Sequence, residues 1–396
     1  MTRKIAVFTG SRAEFGLLSG LMRLIEQDGD LTLQTIAASM HFAPEFGLTW
    51  QEIEAEGFAI DARVEMLLAS DTRTGVAKSL GLGTLGMADA LDRLKPDLLI
   101  ILGDRFEALS AAQAALIMGI PIAHIHGGEI SEGAYDDAIR HAITKMAALH
   151  FVAAEPYRKR VIQMGTPPDR VFNTGAPGLD KLLTGKILSL AEIGTSLGFD
   201  LRTPYFLATY HPATTAAEDP LVAFGDLCAA LAQFPDHQVV MTYPNADHGG
   251  RAVIEALKAH AAAHPGRVLA VPSLGLARYG SVMAQAAAVV GNSSSGLIEA
   301  PSFRIPTVNI GSRQAGRLAA SSVRHVGARQ DQIAEGLAWA ISGEGRAVAA
   351  TTVNPYGQGR AAEAILAVLK TTQFPTDLPF HDFPDPSVPD PQSEGA

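Results

Sequence analysis

Short apolar runs recur through the first half of the chain, each followed by a polar turn and then by residues with helical spacing. Such runs predict buried strands, and their alternation with helices predicts a mostly parallel sheet covered on both faces. The predicted strands are residues 4–9, 30–39, 97–102, 120–126, 150–153 and 171–174, and the predicted helices include 17–25, 106–118 and 136–147.

The same pattern restarts after a Gly-Ala-Pro-Gly break at residues 175–178. Two α/β halves of similar size follow, with a hinge near 176–200 and a ligand site expected in the cleft between them. Residues 179–200 are predicted to be a connector. The later strands are predicted at 205–210, 238–243, 268–271, 286–290 and 307–310. The predicted division is an N-terminal domain at 1–178, a C-terminal domain at 179–355, a helix at 356–370 and a mobile tail rich in Pro, Asp and Ser at 371–396.

Composition narrows the possible functions. The 396 residues are 47% hydrophobic and 18% charged, which indicates a compact protein with enough chain for two cores. A net charge of −10 argues against nucleic acid as a partner. Cys228 is the only cysteine, which excludes an intrachain disulfide and a cysteine zinc site. No signal-peptide pattern and no apolar run of membrane-spanning length is present, so we predict a cytoplasmic protein without a membrane partner.

The densest group of ionisable residues lies at 124–141, between the predicted strand 120–126 and the next helix. In open α/β sheets, ligands bind at the carboxyl ends of the strands, where this group falls. A favourable interaction with the helix dipole would explain Asp136 and Asp137, but not the histidines and Glu129 beside them. We therefore predict a functional site here. Its ionisable residues are His124, His126, Glu129, Glu132, Asp136, Asp137, Arg140 and His141.

A second candidate lies in the other half, where the predicted strand 286–290 is followed by Gly-Asn-Ser-Ser-Ser-Gly at 291–296. Backbone N–H groups and hydroxyls at a helix start form an anion site, and Glu299 one turn further could hold ribose hydroxyls. An ordinary helix cap needs one serine, so three in succession favour phosphate binding. The loop is not a Walker loop, and residues 10–16 lack G-x-G-x-x-G, so no dinucleotide cofactor is predicted.

Other predicted strands also end in polar residues. Asp104 and Arg105 follow one strand, and His211 follows another. A carboxylate close to the 124–141 group would allow acid and base roles to be divided between two residues. A metal site built from the histidines is disfavoured, because His124 and His126 alternate along a strand and no H-E-x-x-H is present. We therefore predict no metal. Cations able to bind a diphosphate are Arg12, Arg313 and Arg317.

Five motifs, in order along the chain, resemble the UDP-N-acetylglucosamine 2-epimerase family. The similarity is greatest to its hydrolysing branch in bacterial sialic-acid and legionaminic-acid synthesis, and it covers about residues 4–370. It implies a glycosyltransferase-B-like fold of two Rossmann-like domains, an active site in the interdomain cleft and UDP bound mainly by the second domain. The motifs are Gly-Ser-Arg-Ala-Glu-Phe-Gly at 10–16, Gly-Asp-Arg-Phe-Glu at 103–107, the stretch 126–145, the serine loop at 291–296 and Val-Asn-Ile-Gly-Ser-Arg-Gln-Ala-Gly-Arg at 308–317.

The resemblance also implies roles for individual residues. Phosphates would meet the serines and Arg12, ribose would meet Glu299, and residues 272–274 would border the uracil. Implied catalytic residues are Asp104, His126, Glu129, Asp136 and His211. Implied UDP-sugar ligands are Arg12, Arg105, Arg140, His141, Asn245, Leu274, Ser294, Ser295, Gly296, Glu299 and Arg317.

One position departs from part of the family. Non-hydrolysing relatives and the bifunctional animal enzyme carry glutamate where this chain has His126, whereas the bacterial hydrolysing branch resembles this chain there. The role of that glutamate passes either to His126 or to Glu129, and both assignments stay open.

The implied reaction has two steps and needs no redox cofactor. A base removes the proton on C2 of the sugar while UDP leaves from C1, which gives a 2-acetamidoglycal. Water then adds with inversion at C2 and releases the free 2-epimer. Asp104 or Asp136 could be the base, and Arg12, His211 and the serine loop could stabilise the departing diphosphate.

The expected substrate is UDP-N-acetylglucosamine, which would give N-acetylmannosamine. The alternative is the same hydrolysing reaction on UDP-2,4-diacetamido-2,4,6-trideoxyglucose, a sugar that differs only at C4 and C6. A glycosyltransferase would need an acceptor, and a non-catalytic UDP-sugar sensor would not need so many ionisable residues at strand ends. Relatives of this family commonly associate, so we also expect a homo-oligomer, either a dimer or a tetramer.

Overall fold

The computed structural model describes residues 2–70, 72–130, 135–212, 219–244 and 250–383. The chain divides into two compact units, and each is built on one parallel sheet. Unit 1 comprises Met1–Asp180 together with Arg360–Ala396, and unit 2 comprises Lys181–Gly359. The predicted fold class of two Rossmann-like α/β domains is confirmed.

Strands and helices alternate along both units. The strands are β1 (Arg3–Thr9), β2 (Leu31–Ala38), β3 (Ala62–Val64), β4 (Leu98–Leu102), β5 (Ile122–Ile125), β6 (Leu149–Val152), β7 (Val171–Asn173), β8 (Tyr205–Thr209), β9 (Gln238–Thr242), β10 (Val268–Val271), β11 (Ala288–Gly291), β12 (Thr307–Ile310) and β13 (Val323–Val326). The α-helices are α1 (Arg12–Gln27), α2 (Trp50–Ala55), α3 (Arg73–Leu94), α4 (Phe106–Ile117), α5 (Tyr135–Met146), α6 (Glu155–Gln163), α7 (Gly178–Thr184), α8 (Leu190–Leu197), α9 (Pro220–Ala232), α10 (Gly250–Ala263), α11 (Gly275–Ala284), α12 (Ser295–Ile298), α13 (Gln330–Ile341), α14 (Gly343–Thr351) and α15 (Ala361–Thr371). Short 3-10 helices lie at Ser39–Phe42, Pro44–Phe46, Pro168–Arg170 and Ala300–Phe303.

Both sheets reverse their strand order at one point. The sheet of unit 1 runs β3-β2-β1-β4-β5-β6-β7, and the sheet of unit 2 runs β10-β9-β8-β11-β12-β13. The order therefore reverses between β1 and β4 in unit 1, and between β8 and β11 in unit 2. Loops diverge there to opposite faces of the sheet and leave a crevice at the carboxyl ends of the strands, which is where such folds bind ligands.

The core of unit 1 follows the two-residue period of its strands. Along β1, Ile5 and Val7 face one side of the sheet, whereas Ala6 and Phe8 face the other. The side with Ile5 is covered by α1 and α15, and Ile365 of α15 is fully buried there. Each such side chain contributes about 1.5–3 kcal/mol on burial. The C-terminal helix is thus part of unit 1, and its packing partner, which the sequence did not indicate, is α1.

The core of unit 2 is built in the same way. Tyr205 and Leu207 of β8 pack with α8 and α11 on one side, and Phe206 and Ala208 pack with α9 and α13 on the other. Both neighbours of β8 pair with it in parallel. Since β8 is buried on both faces, its sequence is a continuous apolar run rather than an alternating one.

Several elements were missed by the sequence prediction. Residues 179–200, predicted to be a connector, contain part of α7 and all of α8. The start of α8 has a capping box in which Ser189 and Glu192 bond each other's backbone N–H groups, and this pattern was present in the sequence. Strands β3 and β13 are short edge strands that carry charged residues, and α3 is rich in glycine, so their local propensities are weak.

Part of the tail that was predicted to be mobile makes specific contacts with unit 1. The Asp377 carboxylate accepts a hydrogen bond from Arg170 at 3.1 Å, and the backbone N–H of His381 donates to the carbonyl of Gly165 at 2.8 Å. Residues 384–396 lie outside the described part of the chain. Within the described ranges, none of the helices has the length and apolar character needed to cross a membrane.

Candidate active site

Unit 2 has a cavity of about 540 Å³ at the point where its strand order reverses. Its walls come from the carboxyl ends of β8, β9 and β10, from the loop after β11 and from the first turns of α11. The lining side chains are mostly hydroxyl groups and small apolar groups, and they include Thr209, His211, Thr242, Leu274, Tyr279, Ser293, Ser294, Ser295, Glu299 and Arg313.

The floor of this cavity depends on a close approach between β8 and β11. Gly291 has a φ of +131°, and a Cβ added there would lie 1.9 Å from the carbonyl oxygen of Thr209. The side chain of the next residue, Asn292, binds the backbone of His211. Its Oδ1 accepts a hydrogen bond from the His211 N–H at 2.7 Å, and its Nδ2 donates one to the His211 carbonyl at 2.7 Å. The buried His211 is therefore fixed by backbone bonds that leave its imidazole at the cavity wall.

The serine loop presents hydroxyls rather than charges. The Ser295 hydroxyl lies 2.5 Å from the hydroxyl of Tyr279 and 3.2 Å from that of Ser293. Arg313 donates to the carbonyl of Asn292 at 3.1 Å and supplies a cation at the same edge. Hydroxyl donors beside one guanidinium can hold a diphosphate through hydrogen bonds and charge together.

Among the described residues that line this cavity, Glu299 is the one carboxylate. Burial raises its pKa to about 7, because the cavity wall removes water from the charged form. A carboxylate in such a place accepts hydrogen bonds readily, and a vicinal diol of ribose would provide two donors.

Unit 1 gathers charged residues at the matching position of its own sheet. Asp104 follows β4 and bonds the guanidinium of Arg140, which projects from α5. Asp137 lies 3.7 Å from Arg140 and 3.5 Å from the ring of His141. The pKa of Asp136 is raised by burial and by the Asp104 carboxylate, so Asp136 binds a proton more readily than an exposed aspartate.

A second pair lies after β5. His126 Nδ1 is 2.5 Å from the Glu129 carboxylate, and both side chains are largely shielded from water. His126 has a φ of +65°, a conformation that costs roughly 1–3 kcal/mol for a residue other than glycine. In this backbone conformation the imidazole of His126 faces the Glu129 carboxylate.

Two buried glutamates lie beneath this charged surface. The Glu14 carboxylate accepts from the Gly10 N–H at 2.6 Å, and the Glu107 carboxylate accepts from Arg105 Nε at 2.5 Å. Burial and the neighbouring Glu107 raise the pKa of Glu14 to about 8. Burial also raises the pKa of Glu107 despite its arginine partner. A Cβ at Gly10 would lie 2.5 Å from the Glu107 side chain, so the glycine makes room for the second acid.

The remaining histidines of this region are structural. His124 lies 2.7 Å from the Gly103 carbonyl through Nε2 and 3.1 Å from the Thr144 hydroxyl through Nδ1. Burial lowers its pKa to about 4, and lowers that of His150 on the neighbouring strand to about 3. Both rings are therefore neutral at physiological pH and form part of the core of unit 1.

The structure brings most of the predicted site residues together within each unit. In unit 1 these are Asp104, Arg105, His126, Glu129, Asp136, Arg140 and His141. In unit 2 the cavity is lined by the predicted His211, Leu274, Ser294, Ser295 and Glu299.

Other predicted residues have different surroundings. Arg12 is exposed and pairs with Glu52 at 2.9 Å. Gly296 is buried against Thr307, and Arg317 is absent from the cavity lining, where Arg313 is found instead. Asn245 lies outside the described residues. Sequence reasoning gave no role to Glu14 or Tyr279, because an acid in a first helical turn and a tyrosine on a remote helix carry no local signal of a site.

The two parallel sheets with their interleaved helices define a two-domain α/β fold of the glycosyltransferase-B-like class. The model of the family described as UDP-N-acetylglucosamine 2-epimerase matches residues 23–370, and the chain belongs to this family.

Two relatives refine the assignment. The chain is 40% identical over 321 residues to the GDP/UDP-N,N'-diacetylbacillosamine 2-epimerase (hydrolyzing) of Campylobacter jejuni, covering 81% of this chain and 83% of that protein. It is 35% identical over 382 residues to the UDP-N,N'-diacetylbacillosamine 2-epimerase (hydrolyzing) of Legionella pneumophila, covering 96% and 97%. The predicted hydrolysing branch is confirmed, and the chain is a hydrolysing UDP-sugar 2-epimerase.

Solved structures show the same fold. The crystal structure of UDP-GlcNAc 2-epimerase from Neisseria meningitidis bound to UDP-GlcNAc superposes with a TM-score of 0.78 at 18% identity. The match covers 94% of this chain and all of that chain.

Proposed function

We propose that the enzyme converts UDP-2,4-diacetamido-2,4,6-trideoxyglucose and water into UDP and the free 2-epimeric sugar. The observation that carries this choice is the pair of relatives at 40% and 35% identity, both named for the diacetylbacillosamine substrate. These relatives favour the trideoxy sugar nucleotide, which the sequence analysis gave as the alternative substrate, over UDP-N-acetylglucosamine. The cytoplasmic location and the homo-oligomer stay predictions.

Unit 2 would hold the UDP part of the substrate. The hydroxyls of the serine loop, with Arg313 and the imidazole of His211, would bind the diphosphate, and Glu299 would bind the ribose. Leu274 would lie against the uracil. Donors that are already fixed, such as His211 on its two bonds to Asn292, need little reorganisation when charge develops on the leaving oxygen.

Unit 1 would perform the elimination. A base takes the proton from C2, the C–H electron pair forms the C1–C2 double bond, and the C1–O bond breaks with its electrons passing to UDP. We assign the base to Asp136. Burial and the Asp104 carboxylate raise the pKa of Asp136, which makes it a stronger proton acceptor than an exposed aspartate, whereas Asp104 is engaged by the guanidinium of Arg140.

Addition of water to the glycal would complete the reaction. Inversion at C2 requires that the new proton arrive on the face opposite to the one from which the first left, so a second proton-transfer group is needed. The His126–Glu129 pair supplies an imidazole held by a carboxylate, which can deliver a proton to C2. Water then adds at C1 and gives up its own proton, so the atoms balance.

Proton NMR in deuterated water, without an acceptor, tests the proposal. Incubation with the diacetamido sugar nucleotide is expected to yield UDP and a free sugar of inverted C2 configuration that carries deuterium at C2. UDP-N-acetylglucosamine serves as the competing substrate. Faster turnover of UDP-N-acetylglucosamine would move the assignment to that sugar, and release of UDP without epimerisation would reject the mechanism.

A further inference from the structure

Unit 1 contains a second cavity, of about 520 Å³, which the proposed chemistry does not use. It lies between the short helices at Ser39–Phe42 and Pro44–Phe46, the loop before α3 and the first turns of α3 and α4. Its volume is in the range of ligand pockets. The wall is mainly apolar, through Met40, Phe46, Leu67, Leu68, Val76 and Phe106, and its polar residues are Glu45, Ser70, Ser79 and Arg105.

Two apolar side chains of this wall are exposed to solvent. Phe46 is 51% exposed and Leu68 is 39% exposed. Their exposed surface would gain roughly 25 cal/mol for each square ångström covered by an apolar group.

The cavity is joined to the charged site through Arg105. The guanidinium of Arg105 lines the cavity, and its NH2 group lies 3.6 Å from the sulfur of Met40. The same side chain bonds Glu107 and interacts electrostatically with Asp136. A sugar whose C2 meets Asp136 would therefore have its far side near the cavity, because a pyranose ring spans only a few bond lengths from C2 to C4 and C6.

The two candidate substrates differ at that far side. UDP-N-acetylglucosamine has a hydroxyl at C4 and a hydroxymethyl at C6, both of which need hydrogen-bond partners. The trideoxy sugar has an acetamido group at C4 and a methyl at C6, which add apolar surface and one amide. The apolar part of the wall suits the two methyl groups that the second sugar carries there. The polar lining residues, which are Glu45, Ser70, Ser79 and Arg105, can pair with the N–H and the carbonyl of its C4 acetamido group.

We infer that this cavity of unit 1 receives the C4 acetamido and C6 methyl groups and determines which UDP-sugar the enzyme accepts. The inference rests on the proposed function, since it concerns the sugar of the same reaction. It assigns Phe46, Leu68 and Val76 as specificity-determining residues that touch the sugar without taking part in proton transfer.

The test measures kcat/KM for both UDP-sugars and uses their ratio as the readout. Phe46→Ala and Leu68→Asn remove apolar wall, and Val76→Phe fills the cavity. Each is expected to lower the ratio of the trideoxy sugar to UDP-N-acetylglucosamine by about tenfold or more, the scale of losing one or two methyl contacts. Leu85→Ser, an exposed leucine on α3 outside the cavity, is the matched control and should leave the ratio unchanged.

The outcomes separate this inference from the proposed function. Suppose that the wild-type enzyme converts the trideoxy sugar nucleotide and that all three variants have the wild-type ratio of kcat/KM values. The inference about the cavity is then wrong, and the proposed function stands. If the wild-type enzyme prefers UDP-N-acetylglucosamine or converts neither sugar, the proposed substrate fails and the inference with it. UDP binding to each variant, measured by calorimetry, verifies that unit 2 is intact in every comparison.

Discussion

Both units place their candidate site residues at the carboxyl ends of the strands, near the point where the strand order reverses, but the two sets of side chains differ in chemistry. In unit 1 the ionisable side chains contact one another. Arg140 pairs with Asp104, Arg105 pairs with Glu107, and the imidazole of His126 contacts the Glu129 carboxylate. The cavity of unit 2 is lined by hydroxyl groups, and the carboxylate of Glu299, the one acid among its described lining residues, has a pKa of about 7. Beside these pairs, Asp136 has a raised pKa. Ionisable carboxyl and imidazole groups suit proton transfer, whereas hydroxyl donors suit an anion that must be bound and then released.

The largest expected effect tests the proton-transfer role of unit 1. Asp136→Asn is expected to lower kcat by roughly 10²–10⁴-fold, because an amide cannot take the C2 proton. UDP affinity, measured by calorimetry, should be retained, since we propose that the nucleotide is bound by unit 2. Asp89→Asn, an exposed aspartate on α3, is the control. A variant of Asp136 with near-normal turnover would exclude it as the base.

A change of similar size is expected in unit 2, but in stability. Gly291→Ala places a methyl 1.9 Å from the Thr209 carbonyl at a φ of +131°, so β8 and β11 must separate. The free energy of unfolding should fall by about 3–5 kcal/mol, as measured by urea denaturation. Gly225→Ala, a helical glycine with open space around it, should be neutral or slightly stabilising. Equal stability of the two variants would contradict this account of the cavity floor.

The sequence indicated the scaffold and the strand-end loops, because buried strands and strand-end polar residues are local patterns. It could not indicate that Tyr279 reaches Ser295, since one residue lies on α11 and the other begins α12, and they meet only in the folded unit. It also gave Arg12 a phosphate role, although the side chain pairs with Glu52. Glu14 has the position of an ordinary acid in a first helical turn, and its burial against Glu107 depends on the pairing of β1 with β4.

The buried acids of unit 1 predict a pH dependence of stability. The pKa of Glu14 is about 8 in the folded chain against 4.5 for an unperturbed glutamate. The folded state therefore binds the proton of Glu14 more tightly than the unfolded state does. The stability that this proton contributes is fully present below a pH of about 4.5 and is lost as the pH rises through about 8.

Denaturation between pH 5 and 9 can measure this loss, which we expect to be roughly 1–3 kcal/mol. Glu14→Gln imitates the protonated acid and should flatten the dependence, whereas Glu65→Gln at an exposed site should not. If the wild-type protein gains stability over this range, the carboxyl of Glu14 is not protonated in the folded state.

A smaller effect is expected from the serine loop. Ser295→Ala removes one hydroxyl from the group formed with Tyr279 and Ser293, and UDP affinity should fall roughly 3- to 10-fold. The rate at saturating substrate should change less than the affinity. Ser196→Ala, an exposed serine of the same unit, is the matched control. Unchanged affinity in the Ser295 variant would exclude the loop from phosphate binding.

The smallest expected effect is a pH dependence of uridine affinity that comes from Glu299, the carboxylate at the cavity of unit 2, and not from the acids of unit 1. Glu299 has a pKa of about 7, so below that value it is a neutral acid and above it a carboxylate able to accept both ribose hydroxyls. Uridine affinity should therefore rise about threefold as the pH increases through 7. Uridine is the right probe because it lacks the phosphate, whose own titration would obscure the change. Glu299→Gln should bind uridine equally at both ends of the range. A wild-type affinity that falls with rising pH would show that the group facing the ribose is a proton donor instead.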